Sequence, residues 1–584
     1  MSQNGLMPKF SNTITNLLIS LGLFLLALLP RAYDLSRFVT ADEAKWVYRS
    51  AQFLAAFLQG EWAATTVNLT PAVTTTWLGS LGLAIYYQLN QAAIGLPFVE
   101  WLQSLPEFRT DLDILVATRW PMVILGSLFV VGLFWAVRSL VGPAVAFTAA
   151  LFVTFDPHTV ALSRILGHDA VVTIFMSLSL VLLLLAVRGG PESSGPRTWL
   201  PLTLSGIAAG LAFLSKAPAL FLIPFAGLIC LSKIWLDRRH LWGWLGRFGL
   251  WAVAAYLTFS LVWPAAWVDP LGRPLAVFEN AFLSATDVDE ADDENYWLVP
   301  DLGPFYYLVH GGFKLSPLVA AGLVLVIITR VQQTRRPTSQ SPNLYISPSP
   351  PPTLWFIAFI ILFTLFMTLS TKRSPRYILP IFPILAILAA LGWFGLYRMA
   401  ANNLNVPSLK PYGFRLLFYS VLTLSALVIL LPYVPYYFTY FNPLLGGSLT
   451  APTWVKLGWG EGLDHVGRFL QRVDPGSRVG TAYSSTVAPY FQGDLSGLDG
   501  DRLDYVVLYA KQVQSGGSPL LPEVITYYRQ TEPIYTVKLN GIRYADVYPG
   551  PAVQLSPNVA LGSQTDGPLG YRLGEPYGRI GQPL

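Results

Sequence analysis

An acidic pair, Asp42-Glu43, lies a few residues beyond the first apolar run of the chain. Carboxylates at the rim of a bilayer are costly to place, and they mark sites more often than they fill space. A carboxylate in such a position suits general-base work on a hydroxyl. Thr40, with Glu43 three residues on, also has the pattern of a helix capping box. The box would orient the turn and leave Asp42 projecting.

Four other groups have chemistry to offer. In Leu162-Ser-Arg-Ile-Leu-Gly-His-Asp169, the side chains of Arg164, His168 and Asp169 fall about one helical turn apart. A capped helix with a surface ion pair is the plainer account of that group. Lys216 is a lone cation between two apolar runs, where snorkelling to the interface is the plain account. Lys372, Arg373 and Arg376 crowd a short loop between two apolar runs, and Arg matches phosphate well. Contact with anionic lipid headgroups would also explain them. The acidic run Asp287 to Glu294 lacks the spacing of a calcium loop and reads as a solvated stretch.

The elements that must position these groups are set by composition. The 584 residues are 53% hydrophobic and 12% charged, against about 25% charged in soluble domains. The chain therefore belongs in a bilayer, and its 18 Trp, 28 Tyr and 34 Phe suit the interfaces. A net charge of +5 without a basic tract of polar readers gives no case for nucleic acid. The single Cys230 allows no internal disulfide, and the five His show no zinc spacing. The run Leu17 to Pro30 is expected to be a retained signal-anchor helix.

A spanning helix needs roughly 20 apolar residues. Candidate spans are 13–30, 114–137, 141–156, 169–187, 200–215, 217–234, 247–266, 311–330, 353–370, 377–397 and 414–433, about eleven in all. Runs 200–215 and 217–234 nearly touch, which predicts a tight re-entry or a shallow hairpin at Lys216. Loop Lys and Arg then fall mostly on one side, which the positive-inside rule makes cytoplasmic, with the N-terminus. The opposite, external side receives loop 31–112, with its interfacial helices, and residues 157–168, 267–310 and 371–376. It also receives Lys216 and everything beyond 434. The segment 334–352, rich in Pro, Ser and Thr, reads as a linker.

Beyond about residue 450 the pattern changes. Runs at 478–483, 503–509 and 533–539 predict strands, and 462–472 and 521–529 predict helices. The expected architecture is a mainly α, polytopic membrane domain over 1–445 and a small external α/β domain over 446–584. The tail after Pro549 would either close a sheet edge or stay disordered. Glycines in Asn442 to Gly447 and Gly458 to Gly462 predict turns hinging the two parts. Glu461 gets no role from its sequence context.

The motifs together resemble the large-fold (GT-C) membrane glycosyltransferases of the protein O-mannosyltransferase type, glycosyltransferase family 39. Aminoarabinose transferases of lipid A and oligosaccharyltransferases are more distant relatives. The resemblance rests on Asp42-Glu43, Ser163-Arg164 with Asp169, Ser215-Lys216 and Arg376-Tyr377-Ile-Leu-Pro380. Asn442-Pro443 with Gly446-Gly447, followed by Gly458-Trp-Gly-Glu-Gly-Leu463, resembles a signature of bacterial members. It implies a sugar on a polyprenyl phosphate as donor, the first-loop Asp as acid–base residue, and inversion at the anomeric carbon. The mannosyltransferases need no metal and the oligosaccharyltransferases do. Here a second-loop Asp-x-Asp has only the loose echo Asp156-Pro-His158, so no cofactor is expected, with a divalent metal as the alternative. The acceptor is a protein, lipid or glycan hydroxyl, and membrane lipids surround the chain.

On this reading Asp42 and Glu43 are catalytic. Lys372, Arg373, Arg376, Arg164 and Lys216 bind the donor phosphate, and His168 and Asp169 form a second-loop site. A transporter or flippase for a polyprenyl-linked sugar is the rival reading. Transporters usually show inverted repeats and ionisable residues at the midplane. This chain shows no repeat, and its charged groups gather towards one side.

Overall fold

The computed structural model describes residues 7–68, 71–189, 195–286, 299–335, 351–403, 411–498, 500, 502–514, 528 and 530–550. Of the predicted features, the acidic run 287–294, most of the linker, nearly all of helix 521–529 and the tail from 551 lie outside them.

Each expected span has a helical counterpart. Among the described residues eight helices are long and apolar enough to cross a membrane: Thr13–Ala32, Leu112–Val141, His168–Ala186, Thr198–Ser215, Ala217–Leu236, Arg238–Val262, Pro375–Ala401 and Gly413–Tyr433. The expected span 311–330 is a pair of helices, Gly303–Lys314 and Pro317–Thr329, bent by 110°. Pro317 follows the break, where its ring and missing N–H prevent a continuous helix. The remaining two, Pro143–Phe155 and Pro352–Thr368, are shorter apolar helices of 13 and 17 residues. Loop 31–112 forms helices Glu43–Leu58, Val73–Ile94 and Phe98–Ser104.

Small residues set the closest helix contacts, as they do where apolar lipid gives helices little reason to associate. A Cβ on Gly210 would stand 2.4 Å from the Ala255 carbonyl oxygen. One on Gly392 would stand 2.0 Å from that of Gly322. Polar links reinforce the packing: the Trp251 indole N–H donates to Ser205 Oγ at 3.1 Å, and Ser205 Oγ donates to the Ser179 carbonyl at 2.7 Å.

The C-terminal unit is a five-stranded mixed sheet, order β2-β1-β3-β5-β4. Its strands are β1 (Arg478–Gly480), β2 (Asp494–Ser496), β3 (Tyr505–Tyr509), β4 (Tyr535–Leu539) and β5 (Ile542–Pro549). β1 runs parallel to β2 and β3, and β5 runs antiparallel to β3 and β4. Asn540 and Gly541 both take positive φ, +48° and +85°, at the β4–β5 turn. That pair suits the tight hairpin turn whose twist matches the strands. β2 and β5 escaped sequence prediction, the first for its brevity. β5 escaped because Arg543 and Asp546 interrupt its apolar pattern.

Helix Leu463–Val473 lays Leu463, Val466 and Leu470 into a core with Val507, Tyr509, Val537 and Val547. The same core takes in Phe313, Phe441 and Ala451. The sheet unit is thus packed onto the membrane-domain side, not hung from a free hinge.

Candidate active site

Glu43 organises the first loop. Its carboxylate is fully buried. Oε1 accepts from Arg119 Nε at 2.7 Å and from the Leu166 N–H at 3.0 Å. Oε2 accepts from the second arm of Arg119 at 2.5 Å, and from the Thr40 N–H and hydroxyl at 2.9 and 3.1 Å. Arg119 also donates to the carbonyls of Leu35 and Phe38. The predicted capping box is present in its Glu-to-Thr half. Of the two carboxylates expected to be catalytic, Glu43 has both oxygens engaged inside the protein. It fastens loop 31–42 to the 112–141 helix and to the 163–167 turn.

The neighbouring Asp42 stands at the helix start with no capping bond of its own. Its Oδ2 accepts from the Arg376 guanidinium at 2.8 Å, and its side chain is 38% exposed. Arg376 Nε lies 3.6 Å from Asp169 Oδ2. Lys216 Nζ donates to Asp169 Oδ1 at 2.5 Å, and His168 Nε2 is 3.9 Å from the same oxygen. An alternating row of charges results, Asp42, Arg376, Asp169, Lys216. It is built from the first loop, the 371–381 segment, the start of the 168–186 helix and the break after Ser215. The Lys216 ammonium sits 3.7 Å from the centre of the Tyr377 ring. The Arg376 guanidinium lies 4.2 Å from the centre of the Trp459 ring.

Other predicted cations lie apart from this row. Arg164 donates to the carbonyls of Tyr33, Asp34 and Pro435 and rests on the Tyr437 ring, so it fastens loops. Burial pulls its pKa down to about 10, which leaves it a cation at neutral pH. Arg373 donates to the Gly303 carbonyl at 2.9 Å and more loosely to those of Thr368 and Ser370. Lys372 precedes it, its own carbonyl accepting from Ser370 Oγ at 3.3 Å. Of the expected clamp of Lys372, Arg373 and Arg376, Arg376, on the 3-10 turn Pro375–Ile381, turns to carboxylates, and Arg373, in the extended stretch before that turn, turns to main-chain oxygens. Asp156, the echo of a metal motif, caps a short helix by accepting from the Thr159 N–H at 2.8 Å. Among the described residues no group of three or more His, Cys, Asp or Glu is placed to hold a metal ion.

Three contributors, Arg119, Tyr377 and Trp459, have no role assigned from the sequence. Arg119 was legible as a lone charge inside an apolar span, the pattern that usually has a named partner. Tyr377 stood beside Arg376. Trp459 was visible only as part of a glycine-rich turn, and nothing local pairs it with residue 376.

Residues 95–265 match the model of the family described as dolichyl-phosphate-mannose-protein mannosyltransferase. No curated protein matches the chain. Among solved structures, the chain is similar to ArnT from Cupriavidus metallidurans bound to undecaprenyl phosphate. Identity is 16% over 92% of this chain and 98% of that one, with a TM-score of 0.46. It is also similar to the archaeal oligosaccharyltransferase AglB from Archaeoglobus fulgidus, at 13% identity over 90% and 74%, TM-score 0.47. A third likeness, to the S. cerevisiae protein O-mannosyltransferase Pmt1-Pmt2 complex, covers 46% of this chain and 33% of that one at 20% identity, TM-score 0.32. The helical architecture is that of a polytopic membrane protein, and the family match covers residues 95–265 of the 584. The matched residues include Ser163-Arg164 with Asp169 and Ser215-Lys216, two of the motifs on which the resemblance rests.

Proposed function

We propose that the chain moves a sugar, a hexose such as mannose, from a polyprenyl-phosphate donor to an acceptor hydroxyl on the external face of the plasma membrane. The N-terminus is cytoplasmic and the C-terminal unit external. The acceptor belongs to a protein, lipid or glycan. The observation that carries this reading is the contact between Asp42 and Arg376, 334 residues apart in sequence and 2.8 Å apart in space. Glycosyl transfer from a phosphate needs both functions in one site, a base for the acceptor and a cation for the leaving phosphate, flanking the anomeric carbon.

Asp42 takes the proton of the acceptor hydroxyl. The acceptor oxygen attacks the anomeric carbon from the face opposite the phosphate, so the configuration inverts. The anomeric C–O bond breaks, and its electron pair leaves on the phosphate oxygen. Arg376 and Lys216 stabilise the charge that develops there. Phosphate departs as an anion and needs no acid. Asp169 spaces the two cations and keeps them at the site. No divalent metal takes part in this scheme.

Purified full-length protein given polyprenyl-phosphate sugars with a radiolabelled sugar should release label to an acceptor, with or without chelator. Label that stays on the lipid but crosses a bilayer would favour the transporter. Activity lost with chelator and restored by a divalent ion would overturn the metal-free scheme.

A further inference from the structure

Trp459 belongs to the C-terminal side of the chain, yet its ring lies against Arg376 and not against an apolar neighbour alone. Its main chain reaches the other half of the site as well. The Trp459 carbonyl accepts from the Ala41 N–H at 3.1 Å, one residue before Asp42.

The loop is held from several directions. Gly458, Gly460 and Gly462 take φ of +88°, +124° and +85°, values that side chains beyond Gly rarely adopt. A Cβ on Gly460 would stand 2.1 Å from the Val39 carbonyl oxygen, so the loop touches the first loop directly. Glu461 Oε2 accepts from the Trp459 N–H at 2.6 Å and from the Tyr509 hydroxyl at 2.8 Å. The same hydroxyl accepts from the Gly460 N–H at 2.9 Å. Phe438 meets the indole edge to face at 5.6 Å. The ring therefore has one place to be.

Arg376, by contrast, has donors to spare. Nη1 is bonded to Asp42, and the buried Nε faces Asp169 Oδ2 at 3.6 Å without a hydrogen bond, which leaves Nη2 for a further partner. A guanidinium stacked on an aromatic face keeps its in-plane N–H groups available at the edges. Resting on the donor reading above, we infer that Trp459 is a positioning residue for the donor phosphate. It fixes the plane of Arg376, so that Nη1 holds Asp42, Nε faces Asp169 and Nη2 is turned to the incoming anion. The C-terminal unit thus completes the donor site through one ring.

The test is binding of undecaprenyl phosphate to the purified full chain. Trp459→Ala should weaken it about 10-fold, and Trp459→Phe, which keeps a ring face, by about 3-fold or less. In an Arg376→Lys background, which keeps the charge and loses the planar stack, removing Trp459 should cost about 2-fold or less. Thermal unfolding of each variant separates loss of fold from loss of position. Unchanged binding by Trp459→Ala overturns the inference. So does an equal loss on removing Trp459 with and without the Arg376→Lys change, which would make Trp459 merely structural. A wild-type chain that does not bind the probe overturns the donor reading and this inference with it. A wild-type chain that binds while Trp459→Ala binds equally well leaves the donor reading standing and removes only this one.

Discussion

At the scale of residues, Asp42 and Glu43 are neighbours with opposite fates. Asp42 is part-exposed and paired with one cation, whereas Glu43 is buried and bonded from three segments. Asp42→Asn should lower turnover by about 10²–10⁴, because an amide cannot take the acceptor proton. Polyprenyl-phosphate binding should survive or tighten, since Asn competes less for Arg376. Comparing labelled-sugar turnover with lipid binding checks both, and near-normal turnover would remove Asp42 as base. Glu43→Ala has a different signature. It strands Arg119 as a buried cation, and breaking a buried pair costs about 3–5 kcal/mol. A lowered unfolding temperature should therefore precede any change in turnover per folded molecule.

Elements hold those residues by close approach and by tethered loops. Helices Pro317–Arg335 and Phe382–Asn403 touch through Gly322 and Gly392, with backbone against backbone. Gly392→Ala must push them apart, and overpacking of this kind costs about 1–3 kcal/mol. Unfolding of the variant in detergent should show that loss. The 458–462 loop is a second such element. Tyr509→Phe removes the hydroxyl that bonds both Glu461 and the Gly460 N–H. A buried carboxylate left short of a donor costs about 1–3 kcal/mol. Proteolysis or hydrogen exchange at residues 458–462 should rise in that variant, and unchanged protection would mean that the loop is held by its glycines alone.

On the scale of the whole molecule, four distant stretches and the C-terminal unit converge on one end of the helical domain. The proposed topology puts that end outside. In a Cys230→Ser background, Arg472→Cys should react with an impermeant thiol reagent added to intact cells, and Arg239→Cys should not. Both positions are exposed, so access reports sidedness and not burial. The reverse pattern would invert the topology and move the site to the cytoplasm.

Sequence alone determined the bilayer as solvent, the helical elements and the residues worth watching. Hydrophobic length is a one-dimensional property, so each of the eleven apolar runs found a helix. Asp42, Asp169, Lys216 and Arg376 stood out because charge in an apolar chain is rare. Only the tertiary structure decided which charges meet. Contacts across hundreds of residues depend on helix packing, and packing here turns on single glycines and short polar links that local pattern does not encode. Glu43 and Asp42 have the same chemistry and adjacent positions, so only the arrival of Arg119 separated the structural carboxylate from the available one. Trp459 entered the site because the sheet unit docks, and docking is a property of two surfaces, not of a motif.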